Sequence, residues 1–259
     1  DYIGDFWKRH GYLLPRRKVV QIGECRSDHD MLNDLGHRVG QAEHWWDDFE
    51  GGLDYILEPS GIKWQDFKQM DYIRGQVKYR KYQERGFSTP TKKFELYSTL
   101  LENWGYDPLP KFREPPESPV SMPERHKQFP YILITGARSP GFFHTENRQV
   151  PWLRELHRDP VVEIHPDTAA REGIKEGQWV IIESLRGKIR QRARIFAGIA
   201  PDVVGAQHAW WFPEKKDPGH GWDESNVNIL TGNAYETCDP AMGATSVRTL
   251  LCKIYPEQK

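Results

Sequence analysis

The residues best suited to hold an anion fall in one short stretch, Thr135-Gly136-Ala137-Arg138-Ser139-Pro140-Gly141, followed at once by Phe143-His144-Thr145-Glu146. Two glycines let a ligand approach the backbone, and the Arg138 guanidinium offers a planar fork of donors to a phosphate or carboxylate. Phe143 adds a ring, His144 an imidazole and Thr145 a hydroxyl. The same residues also describe a glycine-rich β-turn carrying a surface arginine, and on residue types alone the two readings stand side by side.

Other polar groups are read in the same way. Asn228 and Thr231 lie on a loop before the last apolar run; an Asn side chain presents donor and acceptor together, and it also stabilises turns. In His165-Pro166-Asp167 the carboxylate is the expected N-cap of a short helix, with its charge at the positive helix end. His208, Trp210, Trp211 and Phe212 either line a substrate funnel or pack against other domains. His208 and His220 lack a third ligand at suitable spacing, so no metal site is expected. Cys25, Cys238 and Cys252 are odd in number with no C-x-x-C, which argues against a cluster, a structural zinc or a disulfide framework. No G-x-S-x-G elbow supports a serine hydrolase.

These residues need elements to position them. Tyr131 to Thr135 reads as a continuous apolar strand ended by Gly136, Val161 to Ile164 as a second, and Gln178 to Glu183 as a third. From Gly187 to Phe196, Ile189, Gln191, Ala193 and Ile195 alternate with Arg190, Arg192 and Arg194, which predicts a strand with one buried and one basic face. A helix is expected from Asp167 to Arg171 and a last strand from about Thr245 to Ile254. Short strands with Gly/Pro turns and few helices read as a closed β-barrel.

Upstream the pattern is helical. Ser27-Asp28 caps an expected helix running to about Val39, with Met31, Leu32, Leu35 and Val39 on one face. Trp45, Trp46 and Phe49 form an aromatic cluster ended by Gly51-Gly52, and Leu53 to Leu57 starts another short helix. Between these halves Pro108, Pro110, Pro115, Pro116 and Pro119 forbid a continuous helix or central strand. The expected organisation is a helical, loop-rich segment at 1–110, a proline-rich linker at 111–128 and a barrel domain at 129–259.

With Lys+Arg at 36 and Asp+Glu at 37, the charge balance argues against nucleic acid or an anionic membrane as partner. No apolar run is long enough for a spanning helix. A hydrophobic fraction of 37% is low for a self-sufficient domain, while ten Trp suit interfaces. The start at Asp1 suggests a cut from a longer protein, which leaves the compartment open.

In their order, several blocks resemble the molybdopterin-dinucleotide-binding domain of the dimethyl-sulfoxide-reductase family, a six-stranded double-psi β-barrel. They are Leu133-Ile134-Thr135-Gly136-Ala137-Arg138, Phe143-His144-Thr145-Glu146-Asn147, Glu163-Ile164-His165-Pro166-Asp167-Thr168-Ala169, Gly173 to Val180, Gly187-Lys188-Ile189, Pro201-Asp202-Val203-Val204, Asn228-Ile229-Leu230-Thr231, Asp239-Pro240 and Gly243. Gly23 to Asp28 and Phe87 to Ser98 resemble the segment that precedes this barrel. His165 stands where the family more often has Asn, Thr145-Glu146 where Ser-Gln is usual, and Ala234 to Cys238 is longer than in many members.

The resemblance implies that the chain is the cofactor-binding part of a molybdenum or tungsten oxidoreductase and holds a molybdopterin guanine dinucleotide. It places the cofactor contacts on Thr135, Gly136, Arg138, Phe143, His144, Thr145, Glu146, Asn228, Thr231 and Arg248. Arg138 is the expected anion partner, His144 and Thr145 the pterin or phosphate contacts. The metal ligand and any iron–sulfur cluster are expected upstream, with no catalytic residue in this stretch. By itself the chain is then expected to be inert and to retain no cofactor. The partners implied are the upstream domains of the same polypeptide and an electron-transfer subunit. The rival reading is a stand-alone double-psi protein-interaction module.

Overall fold

The computed structural model describes residues 2–4, 11–75 and 78–258. The chain divides into two compact units, Asp1–Phe94 and Glu95–Lys259.

The first unit carries helices α1 (Asp28–Arg38), α2 (Phe49–Leu57), α3 (Trp64–Phe67) and α4 (Tyr82–Arg85). It also carries an unforeseen antiparallel sheet of β1 (Tyr2–Gly4), β2 (Tyr12–Arg16) and β3 (Ile73–Arg74). Its small core is Leu53, Leu57, Trp64 and Phe67, with Leu13 and Ile73 of the sheet packed against it. The Trp64 N–H donates to the Asp54 carboxylate at 2.6 Å, which ties α3 to α2.

Two expectations here are corrected. Gly51 and Gly52 lie inside α2, which Asp48 caps by accepting from the Gly51 N–H at 2.8 Å. Gly52 lets the Trp46 indole pack close to α2, where a Cβ would stand 3.0 Å from the ring. In α1 the Ser27 cap is present, but Met31, Leu32, Leu35 and Val39 are exposed. The buried stripe is instead Asn33 and Gly36: Asn33 donates to the Trp46 carbonyl at 3.0 Å, and Trp45 lies so close that a Cβ at Gly36 would overlap its indole.

The second unit begins with α5 (Thr99–Asn103) and α6 (Pro123–His126), then closes six strands into a barrel. These are β4 (Tyr131–Ala137), β5 (Val161–Ile164), β6 (Trp179–Ser184), β7 (Lys188–Ile195), β8 (Val203–Gln207) and β9 (Leu250–Pro256), in the spatial order β4-β8-β5-β7-β6-β9. Pairs β4–β8 and β5–β7 are parallel and the rest antiparallel. Short helices α7 (Pro151–Leu156), α8 (Pro166–Arg171) and α9 (Trp222–Ser225) fill the connections. The mainly β barrel expected from the sequence is what forms.

In β7 the side facing the core is Ile189, Gln191 and Ala193, as the alternation predicts. β9 starts at Leu250 rather than near Thr245, and β4 runs through Gly136 to Ala137. α8 is capped by His165, whose Nδ1 accepts from the Asp167 N–H at 3.1 Å, not by Asp167. Proline at the first helical position fixes the turn, so the residue before it takes the cap. β8 has no alternation, because its residues are buried on both sides.

Gln191 is fully buried and joins three elements. Its amide donates to the carbonyls of Gln207 at 2.8 Å and Ser225 at 3.1 Å, and its oxygen accepts from the Gln207 N–H at 3.0 Å. Gln191→Leu strands these three backbone groups. We expect it to lower the unfolding free energy of the chain by about 2–4 kcal/mol in a denaturant titration, against about 0.5 kcal/mol for a neutral surface change.

Candidate functional site

The strand directions decide which loops meet. The carboxyl ends of β4, β8 and β6 and the amino ends of β9, β7 and β5 share one rim. Onto that rim come the loop after β4, the β6–β7 turn and the long connection between β8 and β9. All ten predicted contact residues therefore sit at or beside it.

They form two groups. In the first, the Thr135 hydroxyl donates to the Val247 carbonyl at 2.6 Å, which brings Arg248 to the end of β4. Gly136 faces open space: a Cβ there would meet nothing within 4 Å. Arg138 and Arg248 are exposed and carry no ion pair or hydrogen bond from their side chains. His144 Nδ1 lies 3.2 Å from His208 Nε2, and the Phe143 ring meets the His144 ring edge-on at 4.6 Å. The Thr145 carbonyl accepts from Trp211 Nε1 at 2.7 Å; Glu146 is exposed, its N–H bonded to the Phe143 carbonyl at 2.8 Å.

In the second group, Asn228 and Thr231 lie over the β6–β7 turn. Asn228 is exposed in a short turn whose N–H is bonded to Asn226 Oδ1 at 3.0 Å. Ser184 donates to the Leu230 carbonyl at 3.0 Å, and Arg186 reaches both that carbonyl and Glu117. Glu117, from the proline-rich stretch, is 4% exposed and also accepts from the Leu251 N–H at 3.2 Å. Among the described residues no hydrogen bond joins the two groups directly.

Reading the sequence missed Arg148. This guanidinium is 1% exposed, lies over the rings of Phe142 and Trp210 at 4.5 and 4.3 Å, and faces no carboxylate. It donates to the carbonyls of Ala209 at 3.0 Å, His144 at 3.0 Å and His208 at 3.3 Å. Two of those residues hold left-handed backbone without being glycine, with φ of 48° at His144 and 60° at Ala209. Such conformations cost on the order of 1–3 kcal/mol each and persist only where neighbours over-determine them. Burial lowers the Arg148 pKa to about 10, so it remains a cation at neutral pH. No periodicity could have flagged it; its spacing of four from His144 is the sole sequence trace. Trp210 and Phe212, read as funnel lining or as packing against other domains, are buried within this unit against Phe142, His157 and Arg154.

Residues 131–250 match the family model described as "Molydopterin dinucleotide binding domain". Acetylene hydratase of Syntrophotalea acetylenica is 29% identical over 276 residues, covering 98% of this chain and 38% of that protein. The chain carries a molybdopterin dinucleotide-binding domain and has homologues among the dimethyl-sulfoxide-reductase family of oxidoreductases. Dopamine dehydroxylase of Eggerthella lenta is 45% identical over 174 residues, 66% of this chain and 17% of that protein. The solved acetylene hydratase structure from Pelobacter acetylenicus superposes with a TM-score of 0.85 at 28% identity, covering 95% of this chain and 35% of that one. The chain thus spans well under half the length of these relatives. Likeness along nearly the whole chain gives no support to a stand-alone interaction module.

The barrel is the molybdopterin-dinucleotide-binding part of the family fold, and its cofactor is a molybdopterin guanine dinucleotide. The rim's chemistry fits such a ligand. It offers two exposed, unpaired guanidinium groups, a third buried without a counter-ion, and a glycine opening where backbone can be approached.

Arg148→Met retains an apolar stem against Phe142 and Trp210 but frees three carbonyls. Three charge-assisted bonds would suggest a loss above 4 kcal/mol at roughly 1.5 kcal/mol each. Desolvating the cation already costs the folded state, so we expect a net loss of about 1–3 kcal/mol by thermal melt, with faster proteolysis in the 138–150 loop.

Proposed function

We propose that the rim after β4 is the contact surface for the dinucleotide, with Arg138 as the principal anion partner. Thr135, Gly136, Phe143, His144, Thr145 and Glu146 flank it, and Asn228, Thr231 and Arg248 approach from the β8–β9 connection. The observation that carries this is an exposed guanidinium with no protein partner, held directly beyond a buried strand and beside an open glycine. A rigid strand end is a good mount for a large polar ligand. Arg248 adds a second charge near the end of β4, and the Arg148 clasp fixes the loop that bears His144.

The cofactor supplies the metal-centred chemistry, and this chain's residues bind and orient it. The metal ligand and any iron–sulfur cluster belong to upstream domains, so the chain alone is inert and loses the cofactor. Residues 1–110 are part of those domains, 111–128 the linker and 129–259 the binding domain. An electron-transfer subunit is the further partner in the assembled enzyme. No helix among the described residues is long and apolar enough to cross a membrane.

A charge-assisted bond from Arg138 to pyrophosphate is worth about 1.5–3 kcal/mol. Arg138→Ala in the full-length enzyme should then lower cofactor retention by about ten- to a hundredfold, read as fluorescence of oxidised pterin released from purified protein. The thermal melt of this chain should not move. Unchanged pterin content would reduce the loop to a turn.

Gly136→Val is the companion test. The open space around Gly136 accepts the larger side chain, so stability should change by less than about 0.5 kcal/mol. Pterin retention should drop because the isopropyl group occupies the approach to the backbone. Wild-type retention would place the ligand away from Gly136.

A further inference from the structure

Two imidazoles at the rim are linked in series to a backbone carbonyl, and that series determines where their protons lie. His208 Nδ1 is 3.0 Å from the Ala137 carbonyl, which can only accept, so Nδ1 carries the hydrogen. In neutral His208 the other nitrogen, Nε2, is then a bare acceptor. It faces His144 Nδ1 at 3.2 Å, which must donate. The Nε2 of His144 is left without a hydrogen. The alternative is a cationic His208 with both nitrogens protonated, which would reverse the His144 tautomer. Arg148, a buried guanidinium, holds the carbonyls of both histidines and so fixes the backbone from which the two rings meet.

We infer that His208 is a positioning residue that locks His144 as the Nδ1–H tautomer, so that an unprotonated Nε2 is offered at the rim as a hydrogen-bond acceptor. The ligand group it takes is an N–H or O–H donor, and this rests on the dinucleotide-site reading above, where a pterin ring N–H or amino group supplies one. The rings meet at 76° with centroids 5.4 Å apart, so they contact through edges rather than by stacking. Which nitrogen bears the proton is set by the bond the other makes, here two steps away at Ala137. His144 is exposed, and its left-handed backbone is held by Arg148, so the acceptor has a fixed origin and an open outer side.

The test is nitrogen-15 NMR of the 259-residue chain with labelled histidine, at neutral pH and without cofactor. The expected spectrum has His144 Nε2 in the unprotonated range and His208 Nδ1 in the protonated range. A protonated His144 Nε2 in the wild type would overturn the inference, and this spectrum decides even if a variant does not fold. In His208→Asn the amide still reaches the Ala137 carbonyl but is too short to reach His144. The His144 tautomer ratio should shift by at least tenfold toward Nε2–H, and an unchanged ratio would show that His208 does not set it. In the full-length enzyme His208→Asn should lower pterin retention by about tenfold while Arg138 is intact. A bare Nε2 combined with full pterin retention in Arg138→Ala and His208→Asn alike would overturn the ligand assignment and leave the tautomer lock standing. Lost retention in Arg138→Ala with a protonated Nε2 would do the reverse.

Discussion

Closure of the barrel is the constraint from which the binding surface follows. Two parallel pairs, β4–β8 and β5–β7, cannot be joined by tight turns, so the chain must cross the barrel end between them. The β4 exit, the β8 exit and the return into β9 are thereby forced onto one rim. Backbone polar groups left over at that rim need partners, and Arg148 serves three of them at once by binding the carbonyls of His144, His208 and Ala209. It joins the loop after β4 to the loop after β8. On the opposite side, Arg186 and Glu117 tie the Leu230 carbonyl and the Leu251 N–H together. One rim thus contains two clamps with different chemistry: a cation over aromatic rings, and an ion pair whose carboxylate is buried and whose guanidinium is partly exposed.

A buried guanidinium without a carboxylate is an expensive choice for a purely structural clamp. An apolar residue could have filled the slot between Phe142 and Trp210, and a carboxylate could have neutralised it. The positive charge that remains is met here by three carbonyl oxygens rather than by an anion. Arg138 and Arg248 have the same unpaired character, whereas Arg190, Arg192 and Arg194 on the outer side of β7 each meet a carboxylate.

How far the sequence could be read depended on whether the signal was local. Alternation in β7 and the continuous apolar run of β4 were legible because burial imposes a period on neighbouring residues. β8 was not, since Val203 to Gln207 is enclosed on both sides and its Gly205 lies close to Glu163 of β5. The inward stripe of α1 was misread because Trp45 and Trp46 cover its small and polar residues, while its apolar ones stay exposed. At the site, glycine, arginine and histidine in a row after a strand were visible. The clasp was not, because Arg148 and His208 are linked only by carbonyls that any residue could supply.

The relatives carry names for quite different reactions, acetylene hydration and dopamine dehydroxylation among them, and the solved acetylene hydratase structure shares this fold. Whatever is common to them must reside in features insensitive to the substrate. Strand ends, carbonyl clasps and unpaired guanidinium groups are of that kind, since on the proposed reading they would meet the polar edges and phosphates of a dinucleotide whatever reacts at the far end. Substrate choice requires side chains near the reacting atoms. The rim's donors and acceptors are instead fixed by backbone: His144 by Arg148, Thr135 by Val247, Leu230 by Ser184. A surface pinned in this way is rigid, and on the proposed reading that rigidity suits the placement of one large ligand in one orientation.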